Sequence, residues 1–414
     1  MEIINQLNLK AESKSAKLEK WFEHHLDNIL VPLYSSVDLR VSDKKIVPVD
    51  TNIFPAGFNN LAEEFWTHTG NLFKNLLSSK YPNARKILII PEFHTKNKFY
   101  WENIRVIKTI LENVGYEVKV GIVDEEFNIQ KSEFLTTNGD EIIAHKVVSE
   151  DHRVFIEGFD PDIIMLNNDF SDECPNTLRN ITQPVVPPVE MGWHTRRKDI
   201  HFEFYNSLAG EVAEIMEIDP WEITIDTALI ENVNFDEADD RKKVYDVAKT
   251  RLRAMKNQYE KRDVNYEPSL FIKSNSGTYG MAVLNIIDVE SIVLMNANNR
   301  KRLRVTKGGK PVRDVVVQES IPTVLKTNDG HFAEPVIYMV DDEVAGGFFR
   351  VNTEKSQNDN LNSKGMQFKQ FFNTIDGINN IPQIFKLISK IAVIASGYEI
   401  EKIIREGGCK EAAN

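Results

Sequence analysis

Two cysteines in 414 residues, Cys174 and Cys409, are too few for a disulfide framework or a cysteine-based zinc site. They read most simply as reduced thiols. No apolar run approaches the ~18 residues that a membrane-spanning helix needs. The opening stretch, Met1-Glu-Ile-Ile-Asn-Gln-Leu7, has neither the basic segment nor the apolar core of a signal peptide. Positive charge is also short: 50 Lys and Arg stand against 62 Asp and Glu, a formal net charge of −12. Nucleic acid or an anionic membrane as main partner would call for a basic face, so both are disfavoured. Internal repeats and low-complexity segments are missing as well. The expectation is a soluble, cytoplasmic protein that handles small molecules.

What is present is a globular composition, 42% apolar with 23 Phe, 11 Tyr and 5 Trp. The length exceeds one ordinary core and predicts two or three packed subdomains. Residues 12–30 are helix-like, with Trp21, Phe22, Leu26 and Leu30 able to share a face. Ser36–Arg40 and Ile46–Asp50 read as strands around a turn at Ser42–Lys45, a plausible hairpin. Asp50–Asn60 is rich in side chains that serve ligands and turns alike.

Lys86-Ile-Leu-Ile-Ile-Pro91 is a buried parallel-strand run, followed by a helix from Tyr100 to Asn113, a Gly115 cap and the strand Glu117–Val123. This is a βαβ unit, and Asp162–Leu166 repeats the strand pattern. Ligands in such sheets sit past the carboxyl ends of strands, which puts His94 and Thr95 in a favoured place. Farther on, Gly192-Trp-His-Thr-Arg-Arg-Lys198 crowds cationic groups into an acidic chain. A solvated helix start explains this stretch, and so does a patch for carboxylates or phosphates, where arginine offers bidentate geometry. Residues 203–260 read as a helical connector.

In the C-terminal half, Phe271-Ile-Lys-Ser-Asn-Ser-Gly-Thr-Tyr-Gly280 is a strand carrying Lys273 that opens into a loop of small hydroxyl residues. Its N–H groups and hydroxyls suit a polyphosphate, although the spacing is not that of a P-loop. Closure of 274–280 over a ligand is expected from that composition. Val315–Val317 is a β-branched run ending in Gln318-Glu319 and Ile321-Pro322. Glu334–Asn352 reads as a hairpin turning at Asp341-Asp342 and ending on Arg350. The paired aspartates are better explained by the turn than by a metal. Asn360–Gly365 is a polar, Gly-closed loop, and helix is expected from Phe368 to Ile404.

In that order, a Lys-bearing strand with a small-residue loop, a strand ending Gln-Glu-x-Ile, an acid–hairpin–Arg unit and an Asn-Leu loop resemble the ATP-grasp nucleotide site. The layout is close to that of glutathione synthetases. Nearly the whole chain resembles the ATP-grasp-type bacterial glutamate–cysteine ligase family. The segments that carry the likeness are Val49–Asn60, Gly192–Lys198 and Val344-Ala-Gly-Gly-Phe-Phe-Arg350. The resemblance implies an α/β fold, α+β in its C-terminal half. An N-terminal parallel-sheet substrate domain (1–202) and a helical connector (203–260) would lead to an ATP-grasp nucleotide region with a C-terminal helix (261–414).

It further implies ATP-dependent synthesis of γ-glutamylcysteine through an acyl phosphate, the first step of glutathione biosynthesis, with ATP and Mg²⁺ required. Lys273 and Arg350 would neutralise charge during phosphoryl transfer. Ser274, Ser276 and Gly277 would cradle phosphates, Gln318, Glu319 and Ile321 would hold the nucleoside, and Glu334 would line the site. Asn52, Asn59, Asn60, His194, Arg196, Arg197 and Lys198 would face the amino acids. The family's late Glu-x-Asn metal motif is replaced here by Arg350-Val-Asn352. Asn352 and Asn360 are therefore the metal candidates, beside Asp359 and Glu334. Glutamate, cysteine and ATP are the implied partners, with a homo-oligomer open. Another amine acceptor, or a nucleotide-binding regulator that has lost turnover, are the competing readings.

Overall fold

The computed structural model describes residues 1–407 apart from 94, 96, 124–128, 172, 278–281 and 305–311. Its centre is an antiparallel five-stranded sheet in the order Met366–Lys369, Glu343–Asn352, Ala333–Val340, Tyr34–Val41, Ile46–Asn52. The expected hairpin at residues 36–50 forms, and so does the one turning at Asp341-Asp342. What local sequence did not reveal is that the two hairpins join: Val37 lies opposite Ile337 and Asp38 opposite Val336.

The joining follows from burial. All eight residues of Tyr34–Val41 are buried, so both faces of that strand need cover and a lone hairpin could not supply it. Val37, Leu39, Val41, Ile337, Met339 and Phe349 pack on one side against the helices Lys198–Met216 and Gln383–Arg405. Tyr34, Val336, Tyr338 and Phe348 pack on the other, against the helices Glu63–Lys80 and Lys98–Asn113. Because strand side chains alternate, Ser36, Asp38 and Arg40 share the second face.

The βαβ reading holds. Val185–Val186, Ile163–Asn167, Lys86–Pro91, Glu117–Ile122 and Glu141–Lys146 run parallel, and Lys131–Leu135 adds an antiparallel edge. A four-stranded antiparallel sheet, Thr227–Ile230, Val315–Glu319, Leu270–Ser274, Val283–Ile286, packs on the helix Ala238–Glu260. The protein is thus a mixed α/β structure with several sheets. The central sheet draws strands from both chain ends, and the mostly helical stretch 203–260 contributes one strand of the four-stranded sheet.

Two helix expectations are corrected. In place of one helix over 12–30 there are two, Glu2–Ser13 and Ser15–Leu26, broken at Lys14 (φ −115°, ψ 10°), and Leu30 lies outside both. The C-terminal helix begins at Gln383 after Pro382, not at Phe368. Residues Met366–Lys369 are instead drawn into the central sheet beside Glu343–Asn352, where Phe368 packs edge-on against Phe348.

Candidate active site

A cavity of about 770 Å³ opens where the three sheets approach one another. Its floor is the polar end of the central sheet. Glu334 and Arg350 are cross-strand partners, as are Asp38 and Asp50. Arg350 Nη1 donates to Asp38 Oδ2 and to Glu334 Oε1, both at 2.7 Å, and Arg40 Nε lies 2.7 Å from Glu334 Oε2. Both carboxylates hold the guanidinium of Arg350 firmly charged, against the pull of burial. Burial pushes the Asp38 carboxyl upward, with Arg350 pulling the other way.

Two lysines flank this floor. Lys198 pairs with Asp50, and Lys273 Nζ donates to Val49 O at 3.0 Å and to Gln318 Oε1 at 2.6 Å. Burial opposes charge on Asp50, but Lys198 and Lys273 outweigh it and hold its pKa at about 2. Burial brings the Lys273 ammonium down to about 8 despite the nearby Asp50. Four cations thus converge on one cavity in an acidic protein, an arrangement fit for carboxylates and phosphates.

The small-residue loop closes one wall. Asn275 caps the helix Lys198–Met216 from a distant part of the chain: its backbone O accepts from Lys198 N at 2.9 Å and its Oδ1 from Asp199 N at 3.0 Å. A Cβ on Gly277 would lie 2.0 Å from the Trp193 ring, so only glycine lets the loop lie flat there. The same ring carries Lys198 Nζ 4.7 Å from its centroid. Thr278 and Gly280, the rest of the expected closing loop, lie outside the described residues, as do His94 and Cys409.

Residues 9–400 match the family described as glutamate-cysteine ligase. A solved structure from Methylobacillus flagellatus KT, whose name gives gamma-glutamylcysteine synthetase as a provisional assignment, superposes with a TM-score of 0.87. It is 30% identical, over 97% of this chain and 96% of that one. This chain belongs to the glutamate–cysteine ligase family. A glutathione synthetase-like effector from Globodera pallida is 11% identical over 89% of this chain and 80% of that one, with a TM-score of 0.36. D-alanyl-alanine synthetase A from Vibrio cholerae O1 is 10% identical over 78% of this chain and 80% of that one, with a TM-score of 0.36. No curated protein matches.

Of the expected site residues, Asn52, Asn59, Asn60 and Lys198 border the ligase's cavity on one side. Lys273, Ser274, Gly277, Glu319, Ile321, Glu334, Arg350 and Asn360 complete it. Others stand behind it. Arg196 is buried, its Nη2 2.9 Å from Glu399 Oε2 and its Nη1 donating to Thr51 O, so its fork is already filled. Arg197 Nη1 turns back to Arg196 O at 2.7 Å, and His194 Nδ1 lies 2.9 Å from Phe170 O. Ser276 Oγ meets Ser274 Oγ at 3.3 Å, and Gln318 reaches the site through Lys273. Glu319 borders the cavity with both oxygens engaged, by Lys45 Nζ at 2.6 Å and Tyr259 OH at 3.0 Å.

The metal expectation meets a different geometry. Asn352 Nδ2 is spread over Leu361 O, Ser363 and Lys364 O, and its Oδ1 accepts from Glu354 N, so the amide pins a loop. Asn360 Oδ1 accepts from Asn362 N, and the Asp359 carboxylate from Ser356. Among the described residues no group of three or more His, Cys, Asp or Glu side chains could hold a metal ion. Glu334, the remaining expected ligand, has its two oxygens on Arg350 Nη1 and Arg40 Nε, both at 2.7 Å.

Asp38, Arg40, Asp50 and Trp193 were not singled out from sequence. The signal for the first two was there in the alternation Val37-Asp-Leu-Arg-Val41. The stretch read only as one strand of a hairpin, and all eight residues of Tyr34–Val41 prove buried.

Proposed function

We propose that the ligase joins the γ-carboxylate of L-glutamate to the amine of L-cysteine, with ATP converted to ADP and phosphate. A γ-carboxylate oxygen attacks the γ-phosphorus and ADP leaves. The cysteine amine then attacks the acyl carbon, a proton leaves its nitrogen, and the C–O bond to phosphate breaks. The observation that carries this reading is the convergence of Lys198, Lys273, Arg40 and Arg350 on one cavity in a chain of net charge −12. Three anionic groups meet in such a reaction, and fixed cations in a cavity are worth more to them than solvent is. Lys273, on the loop-bearing strand, is assigned to the transferring phosphoryl group, and Lys198 to the amino-acid side. Residues 1–202 would then carry chiefly amino-acid contacts, 203–260 the link and 261–414 chiefly nucleotide contacts.

Phosphate release from Mg·ATP tests the proposal, with glutamate alone, cysteine alone and both. Sustained release with both, matched mole for mole by γ-glutamylcysteine in the mass spectrum, is the expected outcome. Tight ATP binding with no release under either amino acid or the pair would refute it.

A further inference from the structure

Two groups of the cavity floor lack the partners their burial calls for. Asp38 is 5% exposed, and its Oδ1 accepts no hydrogen bond among the described residues. Arg350 is 8% exposed, and its Nε donates none. Both line the cavity, and they are joined to each other through Nη1 and Oδ2 at 2.7 Å. A buried acceptor of negative charge thus stands beside a buried donor of positive charge, both unmatched. Leaving either so costs stability unless something arrives to complete it.

We propose that Asp38 Oδ1 and Arg350 Nε form the receptor for the α-amino-acid head of glutamate, ammonium on Asp38 and α-carboxylate on Arg350. The assignment rests on the ligase reading given above. The pair matches a zwitterion: one ligand carries both charges on a single carbon, as the receptor carries both on side chains that meet at 2.7 Å from the two strands flanking Ala333–Val340. A lone anion would satisfy Arg350 and leave Asp38 unmatched. A divalent cation on Asp38 would meet the Arg350 guanidinium, 2.7 Å from the same carboxylate, with twice the charge of an ammonium. Between the two amino acids, the chemistry selects glutamate. Its ammonium and α-carboxylate persist unchanged while the γ-carboxylate reacts, so a fixed receptor serves throughout. Cysteine must give up a proton from the same nitrogen that Asp38 would hold as a cation. Asp38 thereby becomes a specificity determinant, and Arg350 acts at the donor's head rather than at the phosphoryl group.

The test uses the whole protein and three competitors of glutamate binding, with no mutation needed. Glutarate lacks the ammonium, 4-aminobutyrate lacks the α-carboxylate, and D-glutamate keeps both in the wrong hand. Each should bind about 10- to 100-fold more weakly than L-glutamate, the span one charge-assisted hydrogen bond supports. Asp38→Asn should raise the glutamate KM by a similar factor, leave the cysteine KM within about twofold, and erase the preference for glutamate over glutarate. Glutarate binding as tightly as glutamate to the wild type would overturn the inference even if Asp38→Asn failed to fold. So would a shifted magnesium requirement, or a cysteine KM that rises in place of glutamate's. Dipeptide formation by the wild type with any of these results would leave the ligase reading standing.

Discussion

Lys273→Met should lower kcat by about 10²–10³-fold, the range found when one fixed charge-stabilising group is removed from a transition state. Lys273 lies on the strand Leu270–Ser274 that runs into the small-residue loop, and Val49 O and Gln318 Oε1 hold its ammonium in place. Methionine keeps the length and the apolar stem but supplies no charge. The substitution takes one donor each from Gln318 Oε1 and Val49 O, at a cost of about 1–3 kcal/mol apiece, which a parallel melt reads. Single-turnover kinetics with a parallel thermal melt separate the two effects. A variant that melts close to the wild type and turns over within a few fold of it would remove Lys273 from the chemistry.

The same residue sets a pH dependence. Burial brings its ammonium to about 8, so in the free enzyme the cation is lost as pH rises through that value. The profile of kcat/KM for ATP should bend downward above about pH 8, and Lys273→Met should lack that bend. Stability responds with the opposite sign. The unfolded chain keeps the proton up to the ordinary 10.5, so this one group favours folding increasingly from about pH 8 to that value.

Glu399→Ala should unfold the protein more readily by about 3–5 kcal/mol, because it leaves a buried arginine without its counter-charge. Glu399 is fully buried in the C-terminal helix. It accepts from Arg196 Nε at 3.1 Å and Nη2 at 2.9 Å, and from Arg197 N at 3.3 Å. His201 Nδ1 lies 3.5 Å away, with burial pushing that imidazole toward its neutral form. Arg196 in turn holds Thr51 O, so the pair ties the strand bearing Asp50 to the segment bearing Lys198. Glu399→Ala should therefore lose activity together with stability, whereas a residue that only recognised substrate would lose activity alone. Burial opposes the Glu399 charge, yet Arg196 and His201 hold the carboxyl at about 2. Its contribution is present above the ordinary 4.5 and drains away as pH falls toward about 2. Urea unfolding at pH 7 checks the prediction, and a midpoint matching the wild type would contradict it.

Arg196 shows why part of this site was hidden. From sequence it stood beside Arg197 and Lys198 as one basic patch. Its partner lies 203 positions away on a helix whose pattern announces nothing but a buried face. Lys45 was read as part of a turn, and it sits in a turn, but its ammonium is buried against Glu319. Local pattern conveys what an element is, not what covers it. The parallel strands were legible because their burial is written in consecutive apolar residues, as in Ile87–Ile90. The hairpin at Asp341 was legible from its turn. The partnership of Tyr34–Val41 with Ala333–Val340, which creates the charged floor, spans about three hundred residues and leaves no local trace. Gly277 is an intermediate case. Its flexibility suited a loop on composition, while its actual constraint, the Trp193 ring, came from another segment.

The acyl phosphate is tested most directly with glutamate carrying ¹⁸O in both γ-carboxylate oxygens, incubated with Mg·ATP and cysteine. One labelled oxygen should appear in each phosphate released and one in the amide of the dipeptide. Dipeptide formed alongside unlabelled phosphate would contradict the account, because the glutamate carboxylate would then never have been bonded to phosphorus.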